Sequence, residues 1–336
     1  MNILIVRVSS LGDVLHNLPM VADILRHLPT ARIDWVVEEH YVDLVRMNPA
    51  VRTVIPFALR RWRRSLSTVA TRAEIAAFRR TLRRQAYDVV FDTQGLIKTA
   101  VVMRMARLAA GGRRVGLANA TEGSGYEGIS RIFHSHSIRV DPRTHAVERG
   151  RQVAAAALGY VLDTPANFNL QRLPLQPPPT WLPAQPFAVF FHATARAAKQ
   201  WPVESWLALG EDLAERGMSI LLPWGSAAEH AAAAQLAAHM PNATVLPKLS
   251  MMEAIVLAQQ AALVVGLDTG LTHIAAALDR PTIELYVDSP RWKTEGNWSA
   301  RTVNLGDSGR PPSVAEARAA IATLLSGSAA TAGVAV

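Results

Sequence analysis

The strongest constraint on the fold is an alternation of strand-like and helix-like segments that stops once and then starts again. Short apolar runs predict buried strands, and apolar residues three and four apart predict helices. In the first half, strands are predicted at 2–8, 32–37, 52–55, 87–91 and 113–116, and helices at 14–28, 40–47, 72–85 and 96–109. In the second half, strands are predicted at 187–191, 218–222, 243–246, 262–267 and 281–286, and helices at 203–216, 226–239, 250–260 and 270–278. This order is typical of α/β domains with mostly parallel sheets.

The break in the pattern lies between Leu162 and Pro186, where seven prolines accumulate. Such a segment is typical of a linker. A chain of 336 residues with 50% hydrophobic content is long enough to bury two ordinary cores. We therefore predict an N-terminal domain at 1–164, a linker at 165–186 and a C-terminal domain at 187–326. A last helical segment near 313–325 could pack on either domain.

Several classes of function are excluded or disfavoured by what the sequence lacks. There is no cysteine, so disulfides, thiol catalysis and zinc–thiolate sites are impossible. No P-loop motif occurs, and no acids or histidines show metal-ligand spacing. No apolar stretch reaches the roughly 18 residues of a membrane span, and the first residues do not resemble a signal peptide. We expect a cytoplasmic protein.

Positive charge is concentrated in the first half of the chain. Residues 1–180 contain 25 Lys and Arg against 14 Asp and Glu, whereas residues 181–336 contain 10 against 13. The densest group is Arg60, Arg61, Arg63 and Arg64 around Trp62. Such a group suits phosphates, an acidic glycan or an anionic lipid surface. The arginines between residues 72 and 84 could instead form the solvated face of a helix. Nucleic acid is a less suitable partner, because the sequence contains no nucleic-acid recognition motif.

A short polar loop, Ser9 to Asp13, follows the first predicted strand and begins a helix. In open α/β sheets, ligands bind at the carboxyl ends of strands, where helix N-termini favour anions. Asp13 could be a helix N-cap or a general base. An aspartate bonded at a helix N-terminus has a low pKa and is a weak base. As a general base it would take the proton of an attacking hydroxyl group only late in the transition state, when that hydroxyl has become acidic.

Three loops of the second half carry further candidates. The loop after 187–191 offers Thr194 and Lys199 for a diphosphate, unless its cations are ordinary surface groups. The loop after 218–222 offers Glu229, for sugar hydroxyls or as a first-turn helix carboxylate. The loop after 262–267 contains Asp268 and Thr269 before a helix start. There Asp268 could accept sugar hydroxyls or cap the helix, and His273 is more typical of a packed histidine.

Together, these segments resemble the lipopolysaccharide heptosyltransferases of glycosyltransferase family 9. The resemblance runs in order from residue 1 to about 290. It is carried by eight motifs: Val6–Asp13, Trp35–Glu39, Ile55-Pro56 with Arg60–Arg63, Asp92–Lys98, His145–Arg149, Lys199–Pro202, Leu222–Gly225 and Asp268–His273.

The resemblance implies a GT-B fold, in which two Rossmann-like α/β domains face each other across a central cleft. The acceptor would bind to the N-terminal domain and the sugar nucleotide to the C-terminal domain. The implied reaction transfers L-glycero-D-manno-heptose from ADP-heptose to the first Kdo of Kdo2-lipid A, with inversion and without a metal or other cofactor. Because residues 1–180 carry a net charge of +11 (25 Lys and Arg minus 14 Asp and Glu), we expect their arginine-rich face to associate peripherally with the anionic inner leaflet of the cytoplasmic membrane.

The resemblance also implies roles for individual residues. Asp13 would be the base, in a loop shaped by Ser10 and Gly12, and Lys199 would stabilise the leaving diphosphate. The implied donor-binding residues are Thr194, Lys199, Glu229, Asp268, Thr269, Gly270 and His273. The implied acceptor-binding residues are Ser10, Gly12, Arg60, Arg61, Arg63, Arg64 and Lys98.

Two departures and two alternatives accompany this interpretation. Ala195, Ala197 and Ala198 stand where the family has a second hydroxyl residue and an acidic pair, and residues 119–128 lack an expected basic residue. A later heptosyltransferase acting on an existing heptose would keep the donor loops and change the acceptor residues. A non-catalytic nucleotide-sugar or anionic-lipid binding protein would not need Asp13.

Overall fold

A computed structural model describes residues 1–172, 179–194 and 196–331. The chain divides into two units, Met1–Gln171 and Arg172–Val336, each with a six-stranded parallel sheet. The division falls within the predicted linker, of which residues 173–178 lie outside the described part. Of the helices described, none is both long enough and apolar enough to span a membrane.

The first unit alternates strands and helices along the chain. Its strands are β1 (Asn2–Val6), β2 (Arg32–Glu38), β3 (Val51–Phe57), β4 (Tyr87–Asp92), β5 (Leu108–Leu117) and β6 (His136–Ile138). Its α-helices are α1 (Leu11–His16), α2 (Pro19–His27), α3 (Val42–Arg46), α4 (Leu59–Trp62), α5 (Val69–Arg84), α6 (Ile97–Met105) and α7 (Ala146–Leu158). Two 3₁₀ turns complete it at Glu39–Tyr41 and Gly128–Phe133.

The second unit repeats this arrangement. Its strands are β7 (Phe187–Phe191), β8 (Ser219–Leu222), β9 (Ala243–Val245), β10 (Leu263–Leu267), β11 (Thr282–Tyr286) and β12 (Thr302–Gly306). Its α-helices are α8 (Val203–Glu215), α9 (Ala227–Ala237), α10 (Met251–Gln260), α11 (Gly270–Ala277) and α12 (Val314–Thr331). Helix α12 packs on this unit, where Ala317 and Ile321 lie in the core and Arg318 donates to the carbonyl of Ala208.

The strand order places one crevice in each sheet. In the first sheet the order is β3-β2-β1-β4-β5-β6, and in the second it is β12-β11-β10-β7-β8-β9. The direction of chain progression therefore reverses between β1 and β4 and again between β7 and β10. Ligands of open parallel sheets bind at such switch points, outside the carboxyl ends of the strands. Two Rossmann-like domains confirm the predicted GT-B fold class.

The central strands are apolar because helices cover both faces of each sheet. Ile3, Leu4, Ile5 and Val6 of β1 are fully buried, and so is every residue between Leu263 and Leu267 that carries an apolar side chain. Within β10, a Cβ on Gly266 would lie 2.2 Å from Thr272 Oγ1. Glycine at this position allows α11 to begin close against its own strand, which places Asp268 and Thr269 at the sheet edge.

Several predicted boundaries were wrong for local reasons. The helix predicted at 14–28 is two helices, with Pro19 as the first residue of the second one. The helix predicted at 96–109 ends at Met105, and β5 begins at Leu108. Helix α7, which ends at left-handed Gly159, was not predicted, nor were the four-residue α4 and the edge strands β6 and β12. Of these, α4 and the three-residue β6 carry too few residues to show a periodicity.

Candidate active site

The loop after β1 holds Asp13 at the switch point of the first sheet. Ser10 is the N-cap of α1, and Asp13 is the third residue of that helix. The Oδ2 atom of Asp13 accepts hydrogen bonds from the backbone N (3.2 Å) and the Oγ (2.9 Å) of Ser10. The N-cap interpretation of Asp13 is therefore wrong, because Ser10 occupies that position and Asp13 reaches back to it as in a capping box. Gly12 lies between them, partly buried in the first turn.

Two buried arginines face the other oxygen of Asp13. Its Oδ1 lies 2.6 Å from Arg7 Nη2 and 3.3 Å from Arg149 Nη2. Both arginines are about 5% exposed, whereas the side chain of Asp13 is 37% exposed. Burial alone would raise the pKa of Asp13, but the two guanidinium groups and Ser10 hold it well below its usual range. Asp13 is thus a partly exposed carboxylate that stays ionised.

Arg149 is positioned by Thr121. This threonine lies in the segment 119–128, where the family resemblance led us to expect a basic residue that the sequence lacks. Arg149 Nη1 donates to Thr121 Oγ1 at 2.7 Å. Burial lowers the pKa of Arg149 to about 10, with the charge of Arg7 acting in the same direction and that of Asp13 opposing it. The negative charge of Asp13 therefore offsets the repulsion between the two positively charged guanidinium groups of Arg7 and Arg149.

The loop after β4 closes onto the loop after β1. Gln94 Oε1 accepts from Val8 N (3.1 Å), and its Nε2 donates to Ser9 Oγ (3.2 Å). Lys98 Nζ donates to the same Ser9 Oγ at 3.1 Å, and Arg7 donates to the carbonyl of Thr93. Burial lowers the pKa of Lys98, and Arg60, Arg63 and Arg7 lower it further against the opposing effect of Glu38. These cations therefore share the carboxyl edge of β1, β2 and β4 with Asp13.

The predicted arginine group divides into paired and unpaired side chains. Arg60 Nε lies 2.9 Å from Glu38, which is buried at the end of β2. Arg61 binds Glu39 (3.0 Å) and Glu74 (2.7 Å). For Arg63 and Arg64, both exposed, the described residues provide no ion pair. Trp62 points into the core against Phe57 and Phe78.

A second group of charges lies at the switch point of the other sheet. Asp268 follows β10, and its Oδ2 lies 2.6 Å from Lys199 Nζ. Its Oδ1 accepts from Thr294 Oγ1 (3.1 Å) and faces His273 Nε2 (3.0 Å). Burial alone would raise the pKa of Asp268, but His273 and Lys199 hold it well below its usual range. The helix cap is Thr269, not Asp268.

His273 is enclosed between two carboxylates. Its Nδ1 lies 2.8 Å from Glu284 Oε1, on the side opposite Asp268. Burial would lower the pKa of His273, but Glu284 and Asp268 raise it to about 10. Glu284 is fully buried, and its Oε2 accepts from Tyr286 Oη (2.8 Å) and Gly296 N (3.0 Å). Since both ring nitrogens already face carboxylates, direct donor contact by His273 stays a prediction.

The remaining predicted donor residues lie at strand ends of the same sheet. Thr194 follows β7 and is partly exposed, while the neighbouring Ala195 lies outside the described residues. Thr269 and Gly270 begin α11. Glu229 Oε2 accepts from Gly225 N at 2.7 Å. Within the described ranges, no three carboxylate or imidazole groups are arranged to hold a metal ion.

Sequence analysis missed four residues that surround the predicted ones: Arg7, Arg149, Thr294 and Glu284. Glu284 had a signal, because it is the one acid in the apolar strand Thr282–Tyr286. A buried carboxylate requires donors, so that position indicated a partner nearby. Arg7 and Arg149 stand in motifs that carried the family resemblance, but the pairing of Arg149 with Asp13 joins residues 136 positions apart, which the sequence alone does not show.

Comparisons with known proteins agree with this geometry. Residues 75–320 match glycosyltransferase family 9 (heptosyltransferase). Lipopolysaccharide heptosyltransferase 1 of Pseudomonas aeruginosa is 40% identical over 287 residues, covering 85% of this chain and 78% of that protein. The Escherichia coli protein of the same name is 40% identical over 287 residues, covering 85% and 88%. The structure of E. coli heptosyltransferase WaaC with ADP superposes with a TM-score of 0.83 at 35% identity, covering 96% of this chain and 100% of that one.

The chain therefore belongs to glycosyltransferase family 9. It is a heptosyltransferase with a GT-B fold.

Proposed function

We propose that this heptosyltransferase transfers L-glycero-D-manno-heptose from ADP-heptose to the first Kdo of Kdo2-lipid A. The observation that carries the proposal is the Asp13 carboxylate, partly exposed at a sheet switch point beside Lys98 and several arginines. An anionic sugar acid suits those cations. The relatives named lipopolysaccharide heptosyltransferase 1, and the ADP in the WaaC structure, support the choice of acceptor and donor.

In the proposed reaction, a Kdo hydroxyl oxygen attacks the anomeric carbon of heptose from the face opposite the leaving group. The bond between that carbon and the diphosphate oxygen breaks, its electrons leave with ADP, and the configuration inverts. The hydroxyl proton passes to Asp13. Because the pKa of Asp13 is low, the transfer occurs late, when the attacking oxygen is nearly bonded and its proton is acidic.

The donor would bind at the loops of the second unit. Lys199 would neutralise the diphosphate, with Thr194 donating to it and Thr269 and Gly270 contributing the N-terminus of α11. Glu229 would accept from the ribose, and Asp268 from heptose hydroxyls. Negative charge grows on the diphosphate during the reaction, so Lys199 would stabilise the transition state more than the bound substrate. The proposed reaction uses ADP-heptose as a substrate and needs no resident cofactor.

The acceptor would bind near Ser10 and Gly12, with Lys98 and the arginines around it. Arg63 and Arg64 are the better candidates for direct contact, because they are exposed and have no ion pair among the described residues. Arg60 and Arg61 would have to share their charge with Glu38, Glu39 and Glu74.

The acceptor is a membrane lipid, and an exposed apolar surface of the first unit supports membrane association. Four exposed apolar side chains on two adjoining elements make up what we call the isoleucine patch: Ile97 (43% exposed), Val101 (42%), Ile129 (58%) and Ile132 (72%). They lie on α6 and on the 3₁₀ turn Gly128–Phe133, two elements in contact that are joined by a 2.6 Å hydrogen bond from Ile97 N to Glu127. Lys98, Arg104 and Arg131 lie on the same two elements. Apolar side chains flanked by cations fit the surface of an anionic bilayer.

Replacing Ile129 and Ile132 together with asparagine should weaken binding to anionic liposomes about 10–150-fold, since partial burial of two isoleucines is worth ~1.5–3 kcal/mol. Co-sedimentation with phosphatidylglycerol-containing vesicles, at low and high salt, measures this. Val161→Asn is the control, because Val161 is 77% exposed and lies outside the patch. Equal binding of all three proteins, or binding that ignores lipid charge and salt, would contradict the proposed docking.

The reaction itself is tested by incubating the protein with ADP-heptose and Kdo2-lipid A. ADP release together with a lipid product heavier by one heptose is the expected result. No product here, but addition to an already heptosylated acceptor, would identify a later-step heptosyltransferase. Donor binding without transfer to either acceptor would favour a binding protein.

A further inference from the structure

Lys199 is held by Asp268 in the structure, whereas the proposed function requires it at a diphosphate. The two groups are 2.6 Å apart, and their side chains are only 17% and 11% exposed. Withdrawing a lysine from such a pair would leave a nearly buried carboxylate without its cation, which is costly. A second positive charge beside Asp268 would reduce this cost.

His273 has the geometry of that second charge. Asp268 Oδ1 lies 3.0 Å from its Nε2, and Glu284 Oε1 lies 2.8 Å from its Nδ1. A carboxylate oxygen can only accept a hydrogen bond, so both ring nitrogens must carry a proton. A neutral imidazole would place a lone pair against one of the two carboxylates.

Glu284 accounts for the second proton on His273. A histidine that paired with Asp268 alone would need a proton on only one ring nitrogen. Glu284 is fully buried on β11 and receives Tyr286 Oη and Gly296 N on its other oxygen, which fixes the carboxylate toward the ring. Among the described residues, Asp268 from the loop after β10 and Glu284 from β11 face the two ring nitrogens of His273, and Lys199 pairs with Asp268. Tyr286 and Thr294 donate hydrogen bonds to the two carboxylates.

We propose that Glu284 is a positioning residue that keeps His273 doubly protonated, so that Asp268 keeps a cationic partner when Lys199 moves to the donor diphosphate. This inference rests on the proposed role of Lys199. The four charges, two of each sign, sum to zero with Lys199 in place. After Lys199 turns to the donor, Asp268 still accepts from His273 and Thr294.

The variant Glu284→Gln tests this with its shape nearly unchanged, since the amide oxygen can still accept from Tyr286 and Gly296. Removing a charge within hydrogen-bond distance should lower the pKa of His273 by about one to three pH units. From about 10 in the intact protein, deprotonation would then fall within an accessible pH range. Tyr286→Phe is the matched control, because it removes one hydrogen bond from Glu284 but keeps the carboxylate charge.

Two measurements separate this inference from the proposed function. The first is the protonation state of His273 by ¹⁵N NMR, between pH 6 and 9, in the free protein. The second is the Kd for ADP over the same range, expressed as the ratio of variant to wild type so that titration of ADP itself cancels. In Glu284→Gln this ratio should rise about tenfold with pH as the ring loses its proton, and in Tyr286→Phe it should stay level.

A His273 that is neutral at pH 8 in the wild type would overturn the inference without touching the proposed function. So would an ADP ratio for Glu284→Gln that does not change with pH. If the wild type binds no ADP at any pH, the proposed donor site fails instead, and the NMR titration alone then decides the state of His273.

Discussion

Replacing Asp13 with asparagine should lower the turnover number for heptose transfer by about 10²–10⁴-fold, the range typical of a lost general base. The Kd for ADP should change little, because Asp13 belongs to the first unit and the predicted donor residues belong to the second. Asparagine keeps the hydrogen bonds to Ser10 within reach but cannot take the acceptor proton. Steady-state ADP release measures the turnover number, and calorimetric titration with ADP measures the Kd.

Asp13 is also the counter-ion of two arginines, so the experiment must separate chemistry from folding. The variant leaves Arg7 and Arg149 facing each other, which should lower the stability. The loss should be less than the ~3–5 kcal/mol of a fully buried pair, since Asp13 is 37% exposed and solvent screens it. Asp13→Glu keeps the negative charge and displaces the carboxylate, so it should recover most of the stability and little of the activity.

The pH dependence gives a further check on the counter-ion role. The pKa of Asp13 is lowered in the folded protein. Its contribution to stability is therefore present above an unfolded pKa of about 4 and is lost as the pH falls below that value. The difference in Tm between wild type and Asp13→Asn should accordingly be greatest near neutral pH and shrink under acid conditions.

Asp43→Asn is the control, because the one ion-pair partner of Asp43 among the described residues is exposed Arg46, at 3.6 Å. It should leave both turnover and Tm nearly unchanged. If Asp13→Asn is folded, binds ADP and retains more than about a tenth of wild-type turnover, Asp13 is a structural counter-ion and the proposed base is wrong.

The architecture was predictable because it depends on patterns repeated along the chain. The apolar runs of β1 and β10, and the helical spacing between strands, identify two parallel α/β domains. Loops that follow such strands must lie at one edge of the sheet, so Asp13 and Asp268 could be located without a structure. The edge strand β6 (His136–Ile138) was not predicted, because three residues are too few to show an alternation of apolar and polar side chains.

The pairings within the site were not predictable in the same way. Asp13 meets Arg149 from a helix 136 positions away, and Lys199 meets Asp268 across 69 positions. Periodicity says which face of an element is buried but not which distant charge shares its pocket. Charge density does not show such pairings either: Arg61, predicted to bind the acceptor, is also paired with Glu39 and Glu74.

Replacing Lys199 with methionine should lower kcat by about 10²–10³-fold, comparable to losing one preorganised donor to a developing negative charge. Methionine has a similar length and apolar stem but no charge, so the growing charge on the departing diphosphate would lose its cation. The Kd for ADP should rise as well. Rapid-quench or steady-state measurement of heptose transfer at saturating donor, alongside calorimetry with ADP, separates the two effects.

The fold should survive this change because Asp268 keeps other donors. His273 Nε2 and Thr294 Oγ1 remain at 3.0 and 3.1 Å from its Oδ1, so the carboxylate is not left without a partner. Lys199→Arg should recover part of the activity, since guanidinium keeps the charge but not the compact shape of an ammonium group. Lys248→Met is the matched control, because Lys248 is exposed on a loop of the same unit.

The split between kcat and KM decides what Lys199 does. If it binds the diphosphate equally in the substrate and the transition state, Lys199→Met would raise KM and leave kcat unchanged. A fall in kcat at saturating donor means that the lysine acts on charge that develops only as the bond breaks. A normal kcat and a normal KM would leave Lys199 as the ion-pair partner of Asp268 alone, and the diphosphate would then depend on Thr194 and the N-terminus of α11.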